Sequence, residues 1–340
     1  MHKFFRLIKD NWITDIDSNR NYGKDEILEV GKYTSVGNII TKRTMVQFNN
    51  SEISSYISSN SITDYSMSLE MAVALVDVYS DTFNIDVHPI SQSWVEGWGI
   101  DDDDWVATSG SSWDWANSEN NEAWIVSGSD YLEASASYNM FVDRNGYDFC
   151  PDIKSIYNSW ESGSYNNYGL VIKLPSSLED DDTNHGLVKF HSRHTNSIYD
   201  PLVRLSWDDS SYITGSTELI TTQNIKPFID NYYQRHSLDN DTITFRIITK
   251  LTKEVKSFSS TYLSPPIYRL DEDTQYSIQD IVTGLEIVPY SSYSKVSCDS
   301  GGNYITIDTS ILKEWRTYRI SIKTKINDVY YYYTIGEFNT

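Results

Sequence analysis

The residues with the clearest chemical potential are oxygen ligands near the start of the chain. Asp15, Asp17 and Asn19 alternate, and Glu26 stands at the twelfth position counted from Asp15. Alternating oxygens in a tight loop suit a hard cation, and calcium is the one this spacing imitates. The sixth position holds Arg20 where such a loop needs glycine, and no helical pattern flanks it. The competing reading is an Asx-rich lead-in to a strand. Two denser carboxylate runs, Asp101–Asp104 and Glu179–Asp182, read as solvated loops, with a cation shared between them as the sharper alternative. His185, His191 and His194 are close in sequence, but on a strand His191 and His194 would point to opposite faces, which disfavours a shared metal.

Six tryptophans, Trp94, Trp98, Trp105, Trp113, Trp115 and Trp124, crowd into one Asp-, Gly- and Ser-rich stretch. Aromatic faces beside Asn and Asp can grip sugar rings. Tryptophans equally build small cores and protein interfaces, and an interface or mini-core is the preferred reading. No nucleophile elbow, phosphate-binding loop, zinc spacing or dinucleotide fingerprint occurs. No pair of carboxylates stands out for glycoside hydrolysis. No catalytic residue is therefore assigned, and the expected function is not enzymatic.

The elements that must position these residues read as strands. Aromatics make up 14% of the 340 residues, including 26 Tyr and 10 Trp, a mixture suited to strands and turns. Ile27–Val30, Arg43–Phe48, Ser66–Leu75 and Phe83–Pro89 recur at sandwich-like spacing. Ser66–Val78 could also place Met67, Met71, Ala74 and Leu75 on one helical face, but a strand is preferred. Ile153, Ile156, Tyr157 and Trp160 fit a short amphipathic helix. Tyr168–Leu174, Leu187–His191 and Leu202–Trp207 follow as strands.

A Ser/Thr/Gly-rich linker is expected at 211–223. Beyond it, Pro227–Ile229, Thr242–Leu251, Gln275–Ile278, Gly284–Pro289, Tyr304–Ile307, Arg316–Thr324 and Val329–Tyr333 give the strand density of an immunoglobulin-like sandwich. Two domains, 1–210 and 224–340, are the expected organisation, with the Trp-rich acidic insertion at about 91–130.

The charge bounds the partners. There are 48 acidic against 27 basic residues, a formal −21, which disfavours direct nucleic-acid binding because phosphate contacts need basic surface. Cys150 and Cys298 are too few and too far apart in sequence for a disulfide framework. No run is apolar enough to cross a bilayer. MHKFFRLIKDNW lacks an apolar core and cleavage site, so no secretory signal is expected.

Several of these residues form ordered motifs: Asn21-Tyr22-Gly23, Arg43 to Phe48 with Ser51-Glu52-Ile53, Trp94-Val95-Glu96-Gly97, Trp160 with Gly163, Asn167-Tyr168-Gly169, Phe190 to Arg193, and Pro201 to Leu205. Together they resemble the DNRLRE-type β-sandwich, grouped with carbohydrate-binding modules, over residues 10–210. Residues 220–340 resemble C-terminal β domains of tailed-bacteriophage structural proteins. That resemblance rests on Tyr276 to Asp280 with Thr283-Gly284, Gly302 to Asp308, and Arg316 to Lys323.

The resemblances and the missing leader imply an all-β protein, a jelly-roll-type sandwich followed by a smaller immunoglobulin-like sandwich. They imply a virion structural protein made in the host cytoplasm, placed in the neck, tail or fibre-attachment apparatus or as a capsid decoration. Its partners would be other virion proteins and copies of itself in a symmetric assembly. A carbohydrate-binding module on a surface polysaccharide is the alternative.

Overall fold

The computed structural model describes residues 1–78, 82–101, 109–141, 148–230, 236, 238, 241–252 and 266–340. The chain divides into two compact units, Phe5–Arg204 and Leu205–Thr340 together with Met1–Phe4. Both are built of strands, and the fold is all-β.

The first unit is a jelly-roll-type sandwich. Its strands are β1 (His2–Thr14), β2 (Ile27–Ser35), β3 (Asn38–Phe48), β4 (Ser66–Val78), β5 (Thr82–Pro89), β6 (Trp115–Asn117), β7 (Glu122–Ala123), β8 (Ala136–Phe141), β9 (Asp148–Phe149), β10 (Leu170–Lys173), β11 (Gly186–His191) and β12 (Leu202–Ser206). Among the described residues, the helices α1 (Asn50–Ser59), α2 (Lys154–Glu161) and α3 (Ser176–Glu179) accompany them. The main sheet runs β1-β12-β4-β11-β2-β3-β10-β5-β8, and β1 also pairs with β3.

Strand β3 makes this topology possible. Lys42–Phe48 lies antiparallel to β1, while its other edge is shared between β2 near its start and β10 near its end. In β4, Met67, Leu69 and Met71 are buried alternately, so the period of two prevails over the helical reading of this segment. Strand β1 went unread in the sequence because its many polar residues mask the apolar positions, Phe5, Leu7 and Ile13. The β2–β3 hairpin turns through Val36 and Gly37, both at positive φ (50° and 84°). That is the two-residue turn whose twist matches flanking strands.

The second unit is a smaller sandwich. It comprises β13 (Glu218–Leu219), β14 (Ile225–Ile229), β15 (Thr242–Leu251), β16 (Tyr268–Arg269), β17 (Gln275–Asp280), β18 (Glu286–Val288), β19 (Ser297–Asp299), β20 (Gly302–Asp308), β21 (Thr317–Ile326) and β22 (Val329–Asn339). One sheet is β14-β15-β20-β19 and the other β18-β17-β21-β22. Their inner faces share a core that includes Phe245, Ile278, Ile305, Ile320 and Phe338.

Strand β21 alternates strictly. Tyr318, Ile320, Ile322, Thr324 and Ile326 point inward, and Thr317, Arg319, Ser321, Lys323 and Lys325 are the partly exposed set. The segment 211–223, expected as a linker, is structural. It carries β13, and Ser211 and Ile213 bond to the backbone of Cys298. Its hydroxyl-rich composition serves turns and strand edges here. Cys150 and Cys298 are both free thiols. Among the described residues, no helix is long and apolar enough to cross a membrane.

Candidate functional site

The richest polar constellation lies in the first unit, where β1, the start of the Trp-rich insertion and the segment after β11 supply Asp10, Glu96 and His194. Each of the three offers a ligand atom within 4.8 Å of the others. Glu96 is the hub. Its Oε2 accepts from Lys24 Nζ at 2.6 Å, and its Oε1 accepts from Arg193 Nη1 at 2.9 Å and from the Asp10 backbone N–H at 3.1 Å. His194 Nε2 lies 3.2 Å from the same Oε1 and 3.4 Å from Lys24 Nζ. Asp10 Oδ2 accepts from the Arg193 backbone N–H at 2.7 Å.

The loop that delivers Glu96 is held by glycine. Gly97 adopts φ +83°, and a Cβ there would lie 2.3 Å from Asn21 Oδ1, so any side chain would collide with a residue that itself anchors the insertion. Asn21 Nδ2 donates to the carbonyls of Glu96 and Ser111, each at 2.7 Å.

These groups are unequal in proton affinity. Burial pushes the Asp10 carboxyl up to about 7, with the Arg193 N–H opposing. Burial also acts to raise Glu96, but the donors from Lys24, Asp10, Arg193 and His194 outweigh it and hold the carboxyl below its usual range. Burial lowers His194 despite Glu96. Burial lowers Lys9, which neighbours Trp94, to about 8.

Of the three candidate metal ligands, Glu96 already spends both oxygens on cations. A metal would have to displace Lys24 and Arg193. The arrangement acts as a clamp in which Lys24 and Arg193 meet Glu96, joining β1, the insertion and the β11 exit, as a largely buried carboxylate needs paired donors. It was illegible in the sequence because positions 10, 96 and 194 share no local spacing.

The oxygens with calcium-like spacing each meet a different partner in the structure. Asp15 Oδ1 accepts from the Thr41 N–H at 2.9 Å, Asp17 Oδ2 from the Tyr22 hydroxyl at 3.4 Å, Asn19 Oδ1 from Trp115 Nε1 at 2.8 Å, and Glu26 Oε1 from Asn196 at 3.0 Å. Each oxygen serves a different neighbour because the segment leads from one strand to the next rather than closing around a point. Among the described residues the three carboxylates form no cluster within ligating reach.

The run Glu179–Asp182 is also not uniformly solvated. Glu179 receives the Arg43 guanidinium in two bonds, 3.1 and 2.6 Å, and Lys173 Nζ at 3.0 Å. Asp181 pairs with His185 at 2.8 Å. His191 stacks on Tyr199, so the three histidines serve three separate places. Asp102–Asp104 lie outside the described residues.

The tryptophans divide. Trp94 and Trp124 are buried with Ile13, Met45, Ile90, Ala116 and Val171, and Trp113 packs against them. Trp94 Nε1 donates to the Tyr168 carbonyl at 2.7 Å, and Trp124 Nε1 to that of Ser112 at 2.9 Å. Arg43 lies 4.9 Å from the Trp113 ring. Trp115 is half-buried, bonded to Asn19. Trp98 is 69% exposed, with Lys24 Nζ 5.1 Å from its ring. Trp105 lies outside the described residues. Most of the described set is thus a mini-core that braces the insertion against β3 and β10.

No protein-family model matches this chain, and no curated protein does. Among solved structures, the β-glucuronidase of Parabacteroides merdae aligns at 10% identity with a TM-score of 0.17, covering 81% of this chain and 28% of that one. This chain thus spans less than a third of that enzyme's length.

Proposed function

We propose that this chain is a non-enzymatic structural protein of a tailed-bacteriophage virion, acting by packing against other virion proteins and copies of itself. The observation that carries the reading is the construction of the Trp-rich insertion. Trp94 and Trp124 are buried with their indole N–H groups bonded internally, so these two rings serve packing rather than a sugar platform. Packing of this kind, which braces the described parts of the insertion against β3 and β10, suits shape-complementary assembly. The best-placed acid–base set, Asp10, Glu96 and His194, is committed to Lys24 and Arg193, which fits a scaffold and not a reaction centre. The motif resemblance at 220–340 supplies the virion context, while that at 10–210 is to a sandwich grouped with carbohydrate-binding modules.

The test is native size in the source material, by gradient sedimentation with mass spectrometry of each fraction. Co-sedimentation with megadalton particles that contain a major capsid protein supports the proposal. Recovery solely as a free chain of 39.2 kDa refutes it.

One observation favours a second reading, a carbohydrate-binding module. Trp98 presents its ring to solvent beside Lys24. A glycan-array signal abolished by Trp98→Ala would favour that reading.

A further inference from the structure

The second unit carries a groove at the open edge of its sandwich. It runs between β14 and β22, has a volume of about 480 Å³, and is lined among others by Lys226, Phe228, Tyr332, Thr334 and Glu337. It lies largely open to solvent, a shape for an extended chain rather than an enclosed small ligand. Its rims are aromatic and cationic. Lys250 Nζ stands 5.1 Å from the Phe228 ring. Beyond the β22 side, on β21, Lys323 is the register partner of Tyr332 and sits 4.6 Å from the Tyr330 ring. Tyr332 is itself met edge-on by Tyr290.

The charges around the groove are unbalanced, which is unexpected in a chain of net −21. Arg319 is neutralised by Glu337 and Lys325 by Asp328. Among the described residues, no carboxylate pairs with Lys226, Lys250 or Lys323. Lys226 and Lys250 also face each other directly in the β14–β15 register, and like charges directly opposite across strands are destabilising. An anion placed between them would relieve that repulsion.

We propose that this groove binds an anionic polysaccharide, with sugar rings on Phe228 and Tyr332 and their carboxylates on Lys226, Lys250 and Lys323. The C–H edges of a pyranose carry partial positive charge and complement the negative face of an aromatic ring. Hydroxyls and carboxylates complement the ammonium groups and the Ser321 and Thr334 hydroxyls nearby. A peptide strand is the weaker occupant. Pro227 in the edge strand β14 has no N–H to offer an added strand, and the register of β21 with β22 is broken by a bulge at Ile320/Ser321.

The test is affinity electrophoresis of the full chain through gels containing polygalacturonate, alginate or hyaluronate. Dextran controls for sugar without charge, and polyglutamate for charge without sugar. Retardation by at least one acidic polysaccharide and by neither control is expected. Lys226→Gln or Lys323→Gln should weaken it about tenfold, the scale of one charge-assisted contact. Tyr332→Phe should retain binding and Tyr332→Ala should lose it; Lys226 and Tyr332 are exposed and Lys323 is partly so, so the variants should fold. Failure of all three acidic polysaccharides to retard the chain would overturn the proposal. So would equal retardation by polyglutamate, or full binding by Tyr332→Ala. If Tyr332→Ala abolishes self-association and leaves gel mobility unchanged, the surface is a contact between copies and the proposal is wrong.

Discussion

Lys173 Nζ lies 3.0 Å from Glu179 Oε2, with the lysine side chain 0% and the glutamate 5% exposed. With Arg43 on the same carboxylate, one anion is sandwiched between two cations in the interior of the first unit. Glu179→Gln would leave both cations short of their counter-charge. We expect a loss of about 3–5 kcal/mol, the range for breaking a buried pair from one side. Asp182→Asn, in the same acidic run, should stay within about 0.5 kcal/mol. Urea unfolding of the two variants checks the contrast.

Asp10 has a pH signature. Its folded-state carboxyl titrates at about 7, above the ordinary 3.8. The native state therefore holds a proton that the unfolded chain releases, and this group's contribution to stability falls as pH rises from about 4 to about 7. Glu96 and His194, both held below their ordinary values, act in the opposite sense and favour the folded state at higher pH. Asp10→Asn should remove the first trend alone. Relative to the parent chain, the variant should gain stability between pH 4.5 and 7.5. A difference independent of pH would refute the assignment.

The mini-core separates the tryptophans by their cost. Trp124→Ala should destabilise by about 3–5 kcal/mol, as large-to-small core changes do. Trp98→Ala should lie within about 0.5 kcal/mol because its ring is exposed. Thermal melts of both variants distinguish a packed insertion from a loose one.

Val36 occupies a turn position at φ 50° and is fully exposed. A β-branched residue is poorly suited to that region, whereas Asn-Gly is the preferred pair for this turn. Val36→Asn should raise stability by about 1 kcal/mol, seen as a higher urea midpoint at unchanged slope.

Strand positions were legible wherever burial alternates cleanly. In β15 and β21 the inward residues are apolar at nearly every second position, and both segments can be read directly. β1 could not, because Lys9, Asp10 and Asn11 interrupt its pattern, and Asp10 and Asn11 are buried through polar contacts from distant parts of the chain. The same reason hid the clamp. Local spacing suggested calcium at Asp15 and Asp17, whereas the real convergence joins positions far apart in the chain, and only the topology brings them together. The carboxylate run at 179–182 misled in another way, since composition cannot say which one of several acids turns inward.

The division of the chain has a mechanical consequence. Residues 1–4 belong with 205–340, and Lys3 is paired to Asp308 at 3.0 Å. Residues 5–204 are therefore an excursion that leaves the second unit and returns to it. Tension applied between residues 1 and 340 would enter and leave the chain through the second unit, because both of these residues belong to it. During synthesis the order reverses. The first unit is contiguous and can close once residue 204 has emerged, while the unit that contains the first four residues is the last to be completed.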